Sequence, residues 1–398
     1  MKNIYDFDTP LVRRGSGCVK WDQQPTELDR GNADDILPFW VADMDFRTAP
    51  AIVEAIQRRA AHGAFGYTHV TDSYYDAVIS WFARRHQWTI EREWIQYTQG
   101  VVPALSVVVK AFTEPGDQVV VQTPVYNCFF SSVRNNGCEL VTSGLKLTRD
   151  NLHYEMDFDD LEAKVSNPRA KLFILCNPHN PACRVWTREE LSRVHYICKK
   201  HGVVVVADEI HNELTYHGKR YVPYGTVSQM DNAVVCASPS KSFNTAGLQV
   251  ANIFCANAEW RQRIDRAINI NEVCDVNPFG VVAVQAAYNE GEEWLDQLCD
   301  YIYQNYEALC DYIAKEMPRL RVTPLEGTYL AWIDITALGT TSDELTKKLL
   351  NEGRVWVNSG TMYGPQDGEG FIRVNMACPR TQLMEGLRRI KQVVDKCN

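Results

Sequence analysis

Six short apolar runs rich in β-branched residues recur between residues 117 and 256: DQVVVQTP, CELVTSGL, AKLFILCNP, GVVVVADE, NAVVCASP and QVANIFCA. This recurrence constrains the fold more than anything else in the chain. Helical stretches such as TREELSRVHYICKKHG separate several of the runs. Runs that are apolar throughout, rather than at every second residue, predict strands covered on both faces, and so a mostly parallel sheet packed between helices. Ligands of such sheets bind at the carboxyl ends of the strands. The residues that follow each run are therefore the ones to inspect.

Around this centre the pattern changes. Residues 1 to 48 read as an arm, with several Pro and Gly and no periodicity, that contributes part of a smaller domain. APAIVEAIQRRAA and DSYYDAVISWFARRH predict helices, the first with Pro50 suited to its opening turn. From about Glu290 a long helical stretch, EEWLDQLCDYIYQNYEALCDYIAKEMP, leads into strands in LRVTPLEG, TYLAWIDI and FIRVNMAC, with helices in SDELTKKLLNEG and at the end. A chain of 398 residues exceeds one ordinary domain. The expected division is 49–288 for a large α/β domain and 289–398 for a small α+β domain.

Bulk properties exclude several classes. A formal charge of −9 argues against nucleic acid, whose phosphates require clustered Lys and Arg. The one basic cluster, Arg84-Arg85-His86, reads as a solvated helix face. Thirteen cysteines are scattered without Cys-x-x-Cys, and no His-Glu-x-x-His occurs, so no metal is expected. Cys176, Cys236 and Cys255 lie inside apolar runs and read as small core residues. The opening MKNIYDFDTP has no apolar signal region and no run reaches membrane-spanning length, which with free thiols predicts a cytoplasmic protein and no membrane partner. No strand is followed by Gly-x-Gly-x-x-Gly and no Gly-x-Ser-x-Gly occurs, against hydride transfer and serine hydrolysis.

Three consecutive runs end in chemistry. AKLFILC is followed by Asn177 in NPHNP, GVVVVA by Asp208 in DEIH, and NAVVCA by Ser238, Ser240 and Lys241 in SPSKSF. A lysine placed straight after a buried strand is desolvated, which lowers its pKa and makes it a nucleophile toward a carbonyl. An aspartate at a strand end can also simply cap a helix.

SPSKSFNTAGLQVA is similar to the lysine signature of the fold-type I, aminotransferase-like pyridoxal-phosphate enzymes, and the resemblance covers nearly the whole chain. It implies the α/β fold of that class, with a large domain built on a mostly parallel seven-stranded sheet and a smaller α+β domain. It implies pyridoxal 5'-phosphate held as a Schiff base on Lys241. Asp208 falls on the carboxylate that pairs with the pyridine nitrogen, Asn177 on the amide at the phenolic oxygen, and Ser238 and Ser240 on phosphate-side hydroxyls. Gly100, Val101 and Val102 in YTQGVVPAL open a helix whose backbone N–H groups suit a phosphate. Tyr126 falls on the aromatic that stacks on the ring, although by itself it reads as an ordinary core tyrosine. Arg373 in FIRVNMA falls on the fork for the substrate's α-carboxylate. Tyr67 in GAFGYTHV falls on a tyrosine contributed across a homodimer interface.

Two departures refine the reading. Gln249 stands where most class members carry a phosphate-binding arginine, and His211 where many carry a tyrosine. LPFWVADMDF, GYTHV and DEIH more closely resemble the carbon–sulfur β-lyase branch, the PatB/MalY type of cystathionine β-lyase, and bring Asp43 toward the substrate. The resemblance then implies α,β-elimination of L-cystathionine or a related L-cysteine S-conjugate to thiol, pyruvate and ammonia. Lys241 serves as the base for the α-proton, and Lys241 or Tyr67 as proton donor to the sulfur. An aminotransferase of the same fold is the nearest alternative. A non-catalytic regulatory protein is a third, against which the complete Asn, Asp and Lys set weighs.

Overall fold

The computed structural model describes residues 5–29, 33–216, 218–270, 272 and 274–397. Its centre is a seven-stranded sheet built from β1 (Ile95–Thr98), β2 (Gln118–Thr123), β3 (Glu139–Gly144), β4 (Ala170–Cys176), β5 (Val204–Asp208), β6 (Ala233–Ala237) and β7 (Ala251–Phe254). The spatial order is β1-β7-β6-β5-β4-β2-β3. All neighbours from β3 to β6 pair in parallel, and β7 is antiparallel to both β6 and β1. All six apolar runs are strands of this sheet. β1 was not anticipated, being four residues long with only Ile95 and Thr98 buried.

The runs are continuous because alternate side chains enter two different cores. Val120, Phe173, Val205 and Val235 pack on one face, and Val121, Ile174, Val206 and Val234 on the other. Each such burial contributes roughly 1.5–3 kcal/mol. Together they make the sheet a stiff base for whatever its strand ends carry.

α1 (Pro50–Ala61) and α2 (Asp72–His86) precede the sheet, and α3 (Val101–Phe112) follows β1 and packs on it, as expected. The long helix is preceded by a separate one, α4 (Pro278–Glu290), before α5 (Glu292–Glu316). α4 escaped the sequence reading because it is apolar nearly all round and so shows no amphipathic stripe. Pro278 opens it, and the Asn277 side chain caps it by accepting the Phe279 N–H. Beyond α5, β8 (Arg321–Val322), β9 (Leu330–Asp334), β10 (Asn358–Ser359) and β11 (Phe371–Asn375) form an antiparallel sheet in the order β8-β9-β11-β10. α6 (Arg380–Val394) closes the fold. The arm is tied to this region, since Leu37–Pro38 pairs in parallel with Val355–Trp356.

The Arg84-Arg85-His86 face is not simply solvated. Arg85 Nη1 lies 3.0 Å from Glu292 and 2.9 Å from Asp296, and His86 Nε2 lies 2.6 Å from Glu213. Carboxylates of α5 and of the loop after β5 face this end of α2 and neutralise it. Cys176, Cys236 and Cys255 are buried in the core as expected. Among the described residues, no helix is long and apolar enough to cross a membrane.

Candidate active site

The sheet register brings the strand ends level. Asp208, the last residue of β5, stands between Cys176 of β4 and Cys236 of β6. Just beyond them is a cavity of about 290 Å³ whose wall includes Asp208, His211, Tyr126, Ser240 and Lys241.

Lys241 is half-buried, and its Nζ donates to the Ala42 carbonyl at 2.5 Å. Burial brings its pKa down to about 8, with Asp43 pulling it upward and Arg373 pushing it down. Burial pushes the Asp208 carboxyl up to about 7, against the stabilising Ile210 N–H and Lys241. The Ile210 N–H reaches Oδ1 at 3.1 Å. A buried carboxylate so poorly compensated suits a cationic partner in the cavity, such as a protonated ring nitrogen. Facing it is an amine brought within reach of neutral pH. The sign of the pH dependence follows from the lowered lysine pKa: the neutral, nucleophilic amine accumulates as pH rises through about 8. The rate at which the cofactor-free chain captures an aldehyde such as pyridoxal phosphate should therefore rise through about pH 8 and then level off. Stopped-flow absorbance measures this, and a rise continuing toward the ordinary lysine value would contradict the geometry.

The same cavity is also lined by a helix N-terminus, which suits an anion. Gly100, Val101 and Val102 line it at the N-terminus of α3, a helix of twelve residues. Gly100 has φ +133°, a conformation that favours glycine and turns the chain from β1 into the helix. Ser240 and Gln249 lie on the same wall, so Gln249 faces the cavity although it carries no charge. Ser238 does not line it. Its hydroxyl donates to the Val250 carbonyl at 2.6 Å and accepts the Ser240 N–H at 3.1 Å, bracing the loop that presents Ser240 and Lys241.

The amide on the wall is Asn180, not Asn177. Asn177 is fully buried, and its Nδ2 donates to Glu209 and to the Val222 carbonyl, both at 3.0 Å. Asn180 Oδ1 accepts Arg373 Nη1 at 3.2 Å, which leaves Nδ2 as the donor this residue offers a ligand. Arg373 lies one layer behind Asn180, 3% exposed. Its Nη2 donates to the Trp40 carbonyl at 2.9 Å, its guanidinium stacks 4.8 Å from the Tyr363 ring centre, and its Nε is buried without a partner among the described residues. No carboxylate pairs with it among those residues. A buried, positioned fork without a counter-ion is a seat for an anionic group. Arg373→Lys keeps the charge but removes the fork, and should raise KM for an amino-acid substrate roughly 10- to 100-fold, the value of a charged hydrogen bond. Steady-state kinetics would check this.

Burial holds the His211 imidazole well below its ordinary pKa, with Lys241 and Arg373 adding to the effect. The ring is therefore neutral, and it meets Tyr329 edge-on at 5.8 Å. Burial, then Cys128, pushes the Tyr126 phenol upward. Asp43 does not line the cavity. Its carboxylate pairs with Arg13 at 2.7 Å, so it acts on Lys241 only through its field. Tyr67 is 98% exposed and also lies off the cavity of its own chain. Sequence reasoning missed Asn180, which sits in the same NPHNP run as Asn177, and it missed the Ala42 carbonyl, which no side-chain pattern reveals.

A strand-end lysine and a buried carboxylate lining one cavity with a helix N-terminus, on a sheet of this order, define the fold of the fold-type I pyridoxal-phosphate enzymes. The chain belongs to the aminotransferase class I and II family, whose model matches residues 34–390. It is similar to the protein named cystathionine beta-lyase PatB of Bacillus subtilis (strain 168), 44% identical over 97% of this chain and 99% of that one. It is also similar to protein MalY of Escherichia coli (strain K12), 33% identical over 96% and 97% of the two chains. The crystal structure of cystalysin from Treponema denticola, which contains a pyridoxal 5'-phosphate cofactor, superposes with a TM-score of 0.95 at 31% identity. It covers 99% of this chain and all of that one.

Proposed function

We propose that the chain is a pyridoxal-phosphate-dependent carbon–sulfur β-lyase acting on L-cystathionine or a related L-cysteine S-conjugate. The observation that carries this reading is the single cavity that gathers Lys241, Asp208 and the Gly100–Val102 cradle. Whole-length identity of 44% to a protein named a cystathionine beta-lyase directs it toward C–S cleavage rather than amino transfer.

The residues present fit the cofactor. Ser240 and the N–H groups of Val101 and Val102 would hold its phosphate, Tyr126 would pack against the ring, and Asn180 would donate to the phenolic oxygen. When bound, the cofactor supplies the sink for the electrons of the substrate's α-carbon. Asp208 would be ionised by that partnership and would keep a proton on the ring nitrogen. Arg373, with Asn180, seats the α-carboxylate. Lys241, with its pKa lowered by burial, takes the α-proton and then returns a proton to the departing sulfur. One water is consumed, and thiol, pyruvate and ammonia are released. In place of the arginine common in the class, Gln249 can offer the phosphate an amide N–H but no charge, so the backbone and Ser240 carry more of its binding. Borohydride reduction of the yellow protein, followed by peptide mapping, tests the cofactor reading. Label on Lys241 supports it, and label on any other lysine overturns it.

The assembly proposed is a homodimer in which Tyr67 reaches the neighbour's cofactor and assists proton transfer. Tyr67 at 98% and Phe65 at 55% exposure, on a segment that projects from the chain, support it. The proposed division is an arm at 1–48, a cofactor domain at 49–288 and a small domain at 289–398. Thirteen unpaired cysteines suit a reducing compartment, and cytoplasmic placement is proposed on that ground.

A further inference from the structure

The segment from Trp40 to Met44 presents its carbonyls, one after another, to donors from other parts of the fold. The Trp40 carbonyl accepts Arg373 Nη2 at 2.9 Å. Asn375 Nδ2 bridges the carbonyls of Val41 and Asp43 at 2.7 and 2.6 Å. Between them the Ala42 carbonyl accepts both Lys241 Nζ at 2.5 Å and Tyr329 OH at 2.8 Å. The Met44 carbonyl accepts Asn244 Nδ2 at 2.9 Å. One short segment thus touches the amine proposed as base and the fork proposed for the α-carboxylate.

Its outer side is fastened by charge. Lys20 Nζ lies 2.8 Å from Asp45, and both side chains are 1% exposed. Arg13 joins Asp43 and Asp45, at 2.7 Å each. Trp21 Nε1 and Gln382 Nε2 also donate to Asp45, at 2.8 and 2.9 Å. Two cations and two anions cancel. Buried ion pairs of this kind contribute little net stability compared with apolar packing of the same volume, and their best-attested use is to specify one arrangement.

We infer that Arg13, Lys20 and Asp45 are positioning residues: their ion-pair knot sets the Trp40 and Ala42 carbonyls, and through them seats Arg373 and docks the free Lys241 amine. This rests on the functional reading above. Lys241 is also faced by Asp43, Asp208, Arg373 and Cys128. His211 and Tyr329 face it as well.

The test uses two full-length variants of opposite charge change, Asp45→Asn and Lys20→Met. The readout is the pH midpoint at which the cofactor-free chain captures pyridoxal phosphate. If the knot acts by position, both variants loosen the Ala42 acceptor, and both midpoints fall below that of the parent. If the knot acts only through its field, removing a negative charge lowers the midpoint and removing a positive charge raises it. In the reconstituted enzymes kcat should fall and KM rise, for a combined loss in kcat/KM of about 100-fold, as expected for a reacting group displaced by about 1 Å. Lys20→Arg should recover most of that loss. Midpoints that move in opposite directions, or stay at the parent value, overturn the inference. If Asp45→Asn does not fold, the direction of the Lys20→Met shift decides alone. A parent that captures no pyridoxal phosphate fails the functional reading instead, so the two failures are distinguishable.

Discussion

Lys241→Ala is expected to lower release of pyruvate from an L-cysteine S-conjugate by roughly 10⁴-fold or more, because it removes the group proposed as both covalent anchor and general base. The site offers no ready substitute. His211 is held neutral but lies on the Tyr329 side of the cavity, and burial pushes the Tyr126 phenol upward, away from the range of a useful base. A small primary amine added to the variant should restore part of the rate, since the cavity of about 290 Å³ would then lack only the side chain. Retention of a tenth of the parent rate would mean that another group carries the chemistry. A coupled pyruvate assay reads both results.

Asp208→Asn is expected to lower kcat by roughly 10²- to 10³-fold, comparable to the loss of a preorganised electrostatic contact in a water-poor site. The carboxyl is buried at the end of β5, and burial raises its pKa to about 7 even against the Ile210 N–H and Lys241, which lower it. A cationic partner restores the ionised form, and an amide cannot take its place. The loss should therefore appear in kcat, with a smaller change in KM, because the proposed carboxylate seat at Arg373 and Asn180 is left intact. Asp208→Glu keeps the charge but forces an extra methylene between Cys176 and Cys236, so it should recover only part of the rate. Equal loss in both variants would assign Asp208 a purely structural role.

Much of the fold was legible because its strands are buried on both faces. A run such as VVVV can only be a core strand when helices alternate with it, and the residue after such a run is placed by the strand itself. Asp208 and Lys241 were found in this way. The limits appear where position depends on something other than periodicity. Asn177 and Asn180 are three residues apart in one loop, and only the fold shows that the first turns inward to Glu209 while the second faces the cavity. Ser238 and Ser240 flank a single proline, yet one braces the loop and the other lines the site. Asp43 was expected near the substrate; its carboxylate pairs with Arg13 instead, and the part of its segment that reaches Lys241 is the Ala42 carbonyl. A backbone oxygen has no signature in a sequence. α4 was missed for the complementary reason, since a helix that is apolar on nearly every face shows no amphipathic stripe by which to recognise it.

The most direct test is to give the purified holoenzyme L-cystathionine with no 2-oxo acid present, and to follow free thiol and pyruvate together. The account predicts that both appear, in equal amounts, from the first turnovers. Silence until a 2-oxo acid is added, followed by amino-group transfer without thiol release, would contradict it and make the chain an aminotransferase.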